Sequence, residues 1–375
     1  MSTQGYYGLR SQRGLSLIEL MIAMALGLIL TLGVVQIFLG SSKTYRLSDE
    51  LGKIQENSRF SQSYLQREIR MAGHFGCLVS PLRLTNHLDE DGDNYEDLSY
   101  GILGNDFVPL PVIGWEGQDT GLGDEFSIQT VEASGGTWSN GSGDTIPAAI
   151  QGEMLPGTDF LMINAGEQAP TQLDGNNPNA NTLGTDGASG IDAGTIVFVI
   201  SGDCRNGDLF QQTNNASGAT LTAGGGAGGN DPGNSNTEDF SQYDEEATVF
   251  SYQSTAYYIG EGDSGEPALF RERLDAGDAS GAVELAEGVE NMQVLYGLSN
   301  GVQRRAQSYV SAADVNDWGN VVSVRLALLY RSDDRVIDEA EQRTFNLAGT
   351  AVTAQEDRRA RVVGLSTIGI RNMLE

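Results

Sequence analysis

Twenty consecutive residues from Leu20 to Leu39, LMIAMALGLILTLGVVQIFL, carry no charge and only two polar side chains, Thr31 and Gln36. As an α-helix rising ~1.5 Å per residue the run covers about 30 Å, the hydrocarbon thickness of a bilayer. Core helices of soluble domains rarely stay apolar on every face for this length, so a buried helix fits poorly. A cleaved secretory signal is the other alternative, with Ala23-Met24-Ala25 as its small-x-small site. That triplet lies inside the apolar run, whereas a secretory site follows an apolar region of about 7 to 15 residues. A membrane-spanning helix is the expectation.

The charge is distributed unevenly around this segment. The 375-residue chain has 22 basic and 51 acidic side chains, a net charge of −29. Residues 1–71 hold eight basic and five acidic groups, which leaves residues 72–375 with 14 basic and 46 acidic ones. Binding to nucleic acid through released counterions needs clustered cations, so direct contact of the C-terminal part with DNA or RNA is not expected. Two His and two Cys, with no CxxC and no HxxxH, exclude the common structural zinc modules. The sole Gly-Lys pair, Gly52-Lys53, is followed by Ile54 and lacks the P-loop glycine at Leu47. A nucleophile, a base and an orienting group are hard to assemble with so few His, and no enzyme is expected.

A polar leader with Arg10 and Arg13 precedes the apolar run and ends in glycine, giving Arg13-Gly14-Leu15-Ser16-Leu17-Ile18-Glu19. This stretch resembles the type IV prepilin signature: a short basic leader ending in Gly, an apolar first mature residue, and Glu five residues into the mature chain. Family members more often have Phe where Leu15 stands. The resemblance implies that a prepilin peptidase cuts between Gly14 and Leu15 on the cytoplasmic face and methylates the new amino terminus. It also implies that the Glu19 carboxylate is neutralised by the amino terminus of an adjacent pilin during assembly. Independently, an ionisable group in a membrane helix costs at least ~2.5 kcal/mol and so marks a functional position by default. The alternative is a Glu19 solvated at the interface. Basic residues flank the span on both sides, so charge alone does not orient it; the processing motif places the inner membrane around residues 15–39 and the following residues in the periplasm.

No Pro and one Gly occur between Ser41 and Met71. Positions 47, 51, 54, 58, 61, 65, 69 and 72 advance by three or four, and six of the eight are apolar. The helix is therefore expected to continue as an amphipathic rod to about Ala72, packed on a sheet or, alternatively, in a coiled coil. The segment Arg67-Glu68-Ile69-Arg70-Met71-Ala72-Gly73-His74-Phe75-Gly76-Cys77 is similar to the helix exit of the PilW group of minor pilins. Further similarity occurs at Tyr257-Tyr258-Ile259, Ala268-Leu269-Phe270-Arg271, Glu287 to Gly297, Trp318 to Leu329 and Ile368 to Asn372.

The resulting expectation is an α+β, type IV pilin-like protein. Residues 1–14 form a leader, 15–39 the membrane and assembly helix, 40–76 its amphipathic continuation, and 77–375 a periplasmic β-rich head. Strands are expected at Phe160–Ile163, Thr195–Ile200, Thr248–Tyr252, Thr255–Ile259, Met292–Tyr296 and Val321–Tyr330, in an antiparallel sheet. Low-complexity stretches near 174–194 and 216–236 read as long loops with little to bury. The resemblance implies a minor pilin serving pilus biogenesis and twitching motility. Its partners would be the prepilin peptidase, other minor pilins, the major pilin and a tip adhesin. A type II secretion pseudopilin and a membrane-anchored calcium-dependent adhesin are the rival expectations.

Cys77 and Cys204 are the only cysteines, and in an oxidising periplasm they are expected to pair; two buried thiols are the alternative. Asp89, Asp91, Asp93 and Asp97, with a carbonyl from Tyr95, present the oxygen-rich set that calcium prefers, although Tyr100 stands where an EF-hand has its bidentate Glu. A solvated acidic loop explains the same residues. The two readings differ in one measurement: a calcium loop lowers the thermal midpoint when EGTA is added, and a solvated loop leaves it unchanged.

Overall fold

The computed structural model describes residues 16–77, 84–89, 110–129, 136–143, 146, 150, 152–175, 181–224, 233–235, 239–275, 278–279, 281–301 and 304–374. One helix, Leu17–Met71, runs 55 residues, about 80 Å at ~1.5 Å per residue. The amphipathic stripe lies where its spacing put it. Ile54, Ser61, Leu65, Ile69 and Ala72 are buried, and Leu47, Leu51 and Ser58 are half-buried. Period-3.6 patterning here reports packing against a sheet.

Two sheets receive that stripe. The larger has ten strands and is built around Thr248–Glu261, a 14-residue strand. This strand pairs antiparallel with Ile196–Ile200, Phe160–Gln168 and Pro267–Asp275 along successive parts of its length. The second sheet runs in the order Ser308–Val310, Val289–Leu298, Val321–Arg335, Arg359–Gly369, all antiparallel. Ile54, Leu65, Ile69 and Ala72 of the helix share one core with Tyr257 and Ile259 of the first sheet and Leu326, Leu328 and Tyr330 of the second.

Each expected strand position is occupied by strand, with several differences. The segments 248–252 and 255–259 are a single strand, because the polar Gln253 and Ser254 lie within the ladder opposite Ala165 and Asn164. They interrupt hydrophobicity without interrupting hydrogen bonding. The expected antiparallel sheet is instead several sheets that include two parallel pairings, Leu84–Asn86 with Gly207–Gln211 and Thr350–Thr353 with Glu125–Ser127. The two low-complexity stretches are also more than loops. Thr182–Gly184 pairs with Thr220–Thr222, and Leu183, Ile191 and Leu221 are buried in a small core with Val197, Val199 and Phe210. Isolated apolar residues in a Gly- and Asn-rich background suffice when a neighbouring sheet supplies the rest of the core.

A buried carboxyl group holds the two sheets in register. Asp159, just before Phe160–Gln168, accepts the Gly117 amide of the first sheet at 3.0 Å and the Val294 amide of the second at 2.7 Å. Burial raises its pKa from 3.8 to about 8 against those two bonds, which lower it, with the nearby Glu116 charge adding to the rise. An acid whose folded pKa is raised contributes most below its unfolded pKa and loses that contribution as pH climbs through the folded value. Thermal unfolding of the intact protein should therefore show a midpoint that falls between pH 5 and about 8. Asp159→Asn, already less stable at pH 5 for want of one acceptor, should show a shallower slope over that range.

Candidate functional site

The helix begins on a reciprocal cap. Ser16 Oγ accepts the Glu19 amide at 3.3 Å, and Glu19 Oε2 accepts the Ser16 amide at 3.0 Å and the Ser16 hydroxyl at 3.1 Å. This capping box satisfies donors that the first helical turn otherwise leaves without partners. It also fixes the Glu19 carboxylate at the helix start, exposed on the single chain. Gly14 and Leu15, between which the cleavage is expected, lie outside the described residues.

From Leu17 to Gly40 every side chain is exposed, including Leu28 at 67% and Phe38 at 70%. None of the most apolar 18-residue window is buried, and the helix is long and apolar enough to cross a membrane. The polar interruption at Thr31 is self-satisfied, since its hydroxyl donates to the Gly27 carbonyl four residues back at 2.8 Å. Such a surface is stable in lipid or against other apolar helices, where every backbone group is already paired within the helix. In water it is not, because hundreds of Å² of contiguous apolar surface remain uncovered.

Beyond Gly40 the head takes hold of the rod. Lys43 Nζ reaches Asp338 at 2.6 Å, but both side chains are well exposed and the pair contributes little. The firmer grip is Glu50, buried on the helix, which accepts the Asp333 and Asp334 amides at 3.0 and 3.1 Å and the Lys53 ammonium at 2.7 Å. Burial opposes ionisation of Glu50, and the Lys53 and amide hydrogen bonds outweigh it, holding the pKa below the usual carboxylate range. Farther along, the Ser61 and Tyr330 hydroxyls lie 2.7 Å apart, and Arg271 donates to the Tyr64 hydroxyl at 3.0 Å. Glu50 was detectable in the sequence as an acid at stripe spacing, three residues after Leu47 and four before Ile54. Its partners are backbone amides, which no sequence pattern announces.

The helix exit is fixed by two glycines and a disulfide. Gly73 and Gly76 have φ of +69° and +80°, and a Cβ on them would sit 2.7 Å from Pro111 and from Phe250 respectively. Only glycine meets both conditions without strain. Cys77 is bonded to Cys204 with Cα atoms 5.3 Å apart across 127 residues of chain. Cys204 sits in the turn between Ile196–Ile200 and Gly207–Gln211, where the Ser201 hydroxyl accepts the amides of Arg205 and Asn206. The bond thus ties the helix exit to the far part of the first sheet.

Of the expected calcium residues only Asp89 is described; Asp91, Asp93, Tyr95 and Asp97 lie outside the described residues. Among the described residues no group of three or more His, Cys, Asp or Glu side chains is arranged to hold a metal ion. A feature the sequence did not suggest lies beside Asp89. His87 Nε2 and Asp208 Oδ1 are 2.7 Å apart and buried, the Tyr243 hydroxyl donates to Asp208, and Phe240 packs on the imidazole at 4.8 Å. The three are 121 and 35 residues apart in sequence, so only the fold brings them together.

Residues 256–372 match the family model of the Type IV Pilus-assembly protein W, and residues 9–35 match the prokaryotic N-terminal methylation motif. The chain carries a PilW region and a prepilin-type N-terminus. The PilW region begins within the central strand of the first sheet and takes in the whole second sheet, while the methylation motif spans the cap at Ser16 and Glu19 and most of the exposed rod. No curated protein matches the chain. Among solved structures, a type IV-like pilin from Thermus thermophilus is 20% identical over 33% of this chain and 70% of its own, at a TM-score of 0.22. That superposition is too loose to carry a conclusion.

Replacing Cys204 by Ser removes the link between helix exit and sheet. Urea unfolding should show a loss of about 2 to 4 kcal/mol relative to the native protein, and the native protein treated with reductant should lose the same amount.

Proposed function

We propose that this chain is a minor pilin of a type IV pilus, made as an inner-membrane prepilin with its head in the periplasm and drawn from the bilayer into the fibre or its initiating complex. The observation that carries the reading is the union, on one helix, of a methylation motif, a Glu19 at the start, and a rod whose apolar surface is entirely uncovered. The rod exchanges lipid contact for contact with neighbouring helices, and dispersion and close packing replace the lipid it leaves. Glu19, costly in hydrocarbon as a lone charge, is answered by a neighbour's amine. The head, gripped at Glu50 and bolted at Cys77, sets how the rod is presented to that neighbour.

The partners that follow are the prepilin peptidase acting between Gly14 and Leu15, the other minor pilins, the major pilin and a tip adhesin. The processes served are pilus biogenesis and twitching motility. The PilW-type sequence favours a structural subunit.

N-terminal mass spectrometry of the protein from membranes and from sheared pili tests cleavage and incorporation together. The expected mature protein begins at N-methylated Leu15, is present in the sheared fibre, and disappears from it in Glu19→Ala. A mature terminus beyond Ala25, or undiminished incorporation of Glu19→Ala, overturns the proposal.

A further inference from the structure

The face of the second sheet turned away from the helix is only partly covered. Near its lower end a three-stranded sheet of Thr344–Leu347, Thr350–Thr353 and Glu125–Ser127 packs Leu347 and Val352 onto Ala327 and Leu329. One step up the strands the cover stops. There Leu295, Arg325 and Thr367 lie side by side across three strands, with Leu365 two residues along and on the same face as Thr367. The result is a groove floored by this row and walled by Asn346, Ala348, Gly349 and Leu122.

Three properties of the groove point to an occupant. Leu122 and Leu365, both lining the groove, are 57% and 59% exposed, an apolar pair facing open space. Arg325 lies flat on the Tyr309 ring at 4.0 Å, and the Tyr309 hydroxyl is fixed by Ser323 at 3.1 Å. The guanidinium is thus oriented by stacking, which leaves its N–H edge unspent, and among the described residues no carboxylate forms an ion pair with it. In a chain with 51 acidic and 22 basic residues, an oriented arginine without an acid is a charge awaiting a partner. Third, Arg359–Gly369 ends the strand order of its sheet, so the backbone at Leu365 to Thr367 borders the groove on an edge to which, among the described residues, no further strand is paired. Edge strands of this kind accept an added extended segment, whose backbone supplies affinity and whose alternate side chains supply specificity.

We propose that this groove is a docking site for an extended, acidic and apolar segment of a different polypeptide, added at the Arg359–Gly369 edge. An aliphatic or aromatic side chain of the segment fills the space between Leu122 and Leu365. A carboxylate one or two residues away meets the Arg325 guanidinium edge. The site lies on the opposite face of the sheet from the long helix.

The test is photo-crosslinking of the full chain in the cells that make it, with benzoylphenylalanine at position 365 and, as a control, at the exposed Val283. The expected result is an adduct specific to position 365 whose linked peptide comes from another protein and contains Asp or Glu close to the linkage. Its yield should fall about tenfold in Arg325→Glu and by a smaller factor in Arg325→Gln. Retention of the Cys77–Cys204 bond in each variant, read by mobility without reductant, shows that the loss is not one of folding. No adduct above that at position 283, an adduct to a second copy of this chain, or a yield indifferent to both Arg325 variants overturns the proposal.

Discussion

A helix that is apolar on every side for its first half and on one side for its second imposes two environments on one rigid element. The change occurs near Gly40, where exposed aliphatic side chains give way to a stripe that the sheets bury. Nothing in the backbone marks the boundary, because the helix contains no proline and continues unbroken to Met71. Only its surroundings differ. The head is therefore obliged to hold a long lever from one end, and the contacts that do so are spread from Lys43 to the disulfide at Cys77 rather than concentrated at one place.

Those contacts differ in kind along the rod. Next to the apolar half of the helix the link is an exposed ion pair, which yields easily in salt. In the middle the buried Glu50 gives its charge to two backbone amides and a lysine, bonds to an ionised acceptor that are stronger than neutral ones. At the exit, glycine conformation and a covalent bond leave no freedom. The rod is thus increasingly constrained away from its apolar half, and small changes of its angle to the head are resisted least at Lys43.

The helix was legible because its signals are local: hydropathy, a stripe of period 3.6 and a glycine-cysteine exit all read directly from neighbouring residues. Strands rich in Val, Ile, Phe and Tyr were legible for the same reason. Arg359–Gly369 was not, since its charged start looks solvated; in the fold Arg359 pairs with Glu266, and Arg361 pairs with Glu290 and Asp357 while both Arg361 and Glu290 are buried. Burial pushes against the charge on Arg361 and the two carboxylates more than restore it, raising its pKa above the ordinary arginine value. Pro267–Asp275 is concealed in the same way, its Arg271 and Arg273 alternating with the buried Glu272. Glu290 and Glu266, which pair with Arg361 and Arg359 in the fold, lie 71 and 93 residues away in sequence, so no local pattern marks the strand. The disulfide was inferred from scarcity of cysteine, while the groove beside Arg325 draws residues from Leu122 to Thr367 and had no signal at all.

The charge itself is partitioned along the fold. Residues 84–270 contain one basic side chain, Arg205, and thirty Asp and Glu, a surplus equal to the net charge of the entire chain. The remaining residues, which include the long N-terminal helix and nearly all of the PilW region, hold equal numbers of acids and bases. An electrostatically neutral frame can approach its neighbours closely, whereas two acidic insertions brought face to face repel within a screening length of about 8 Å at physiological salt. On the proposed reading, contacts that bring the acidic part of the head against another subunit are favoured when that subunit differs in charge, and disfavoured between two copies of this one. On that reading the neutral part of the chain suits packing as one subunit among others, and the acidic part opposes packing as a repeat of itself.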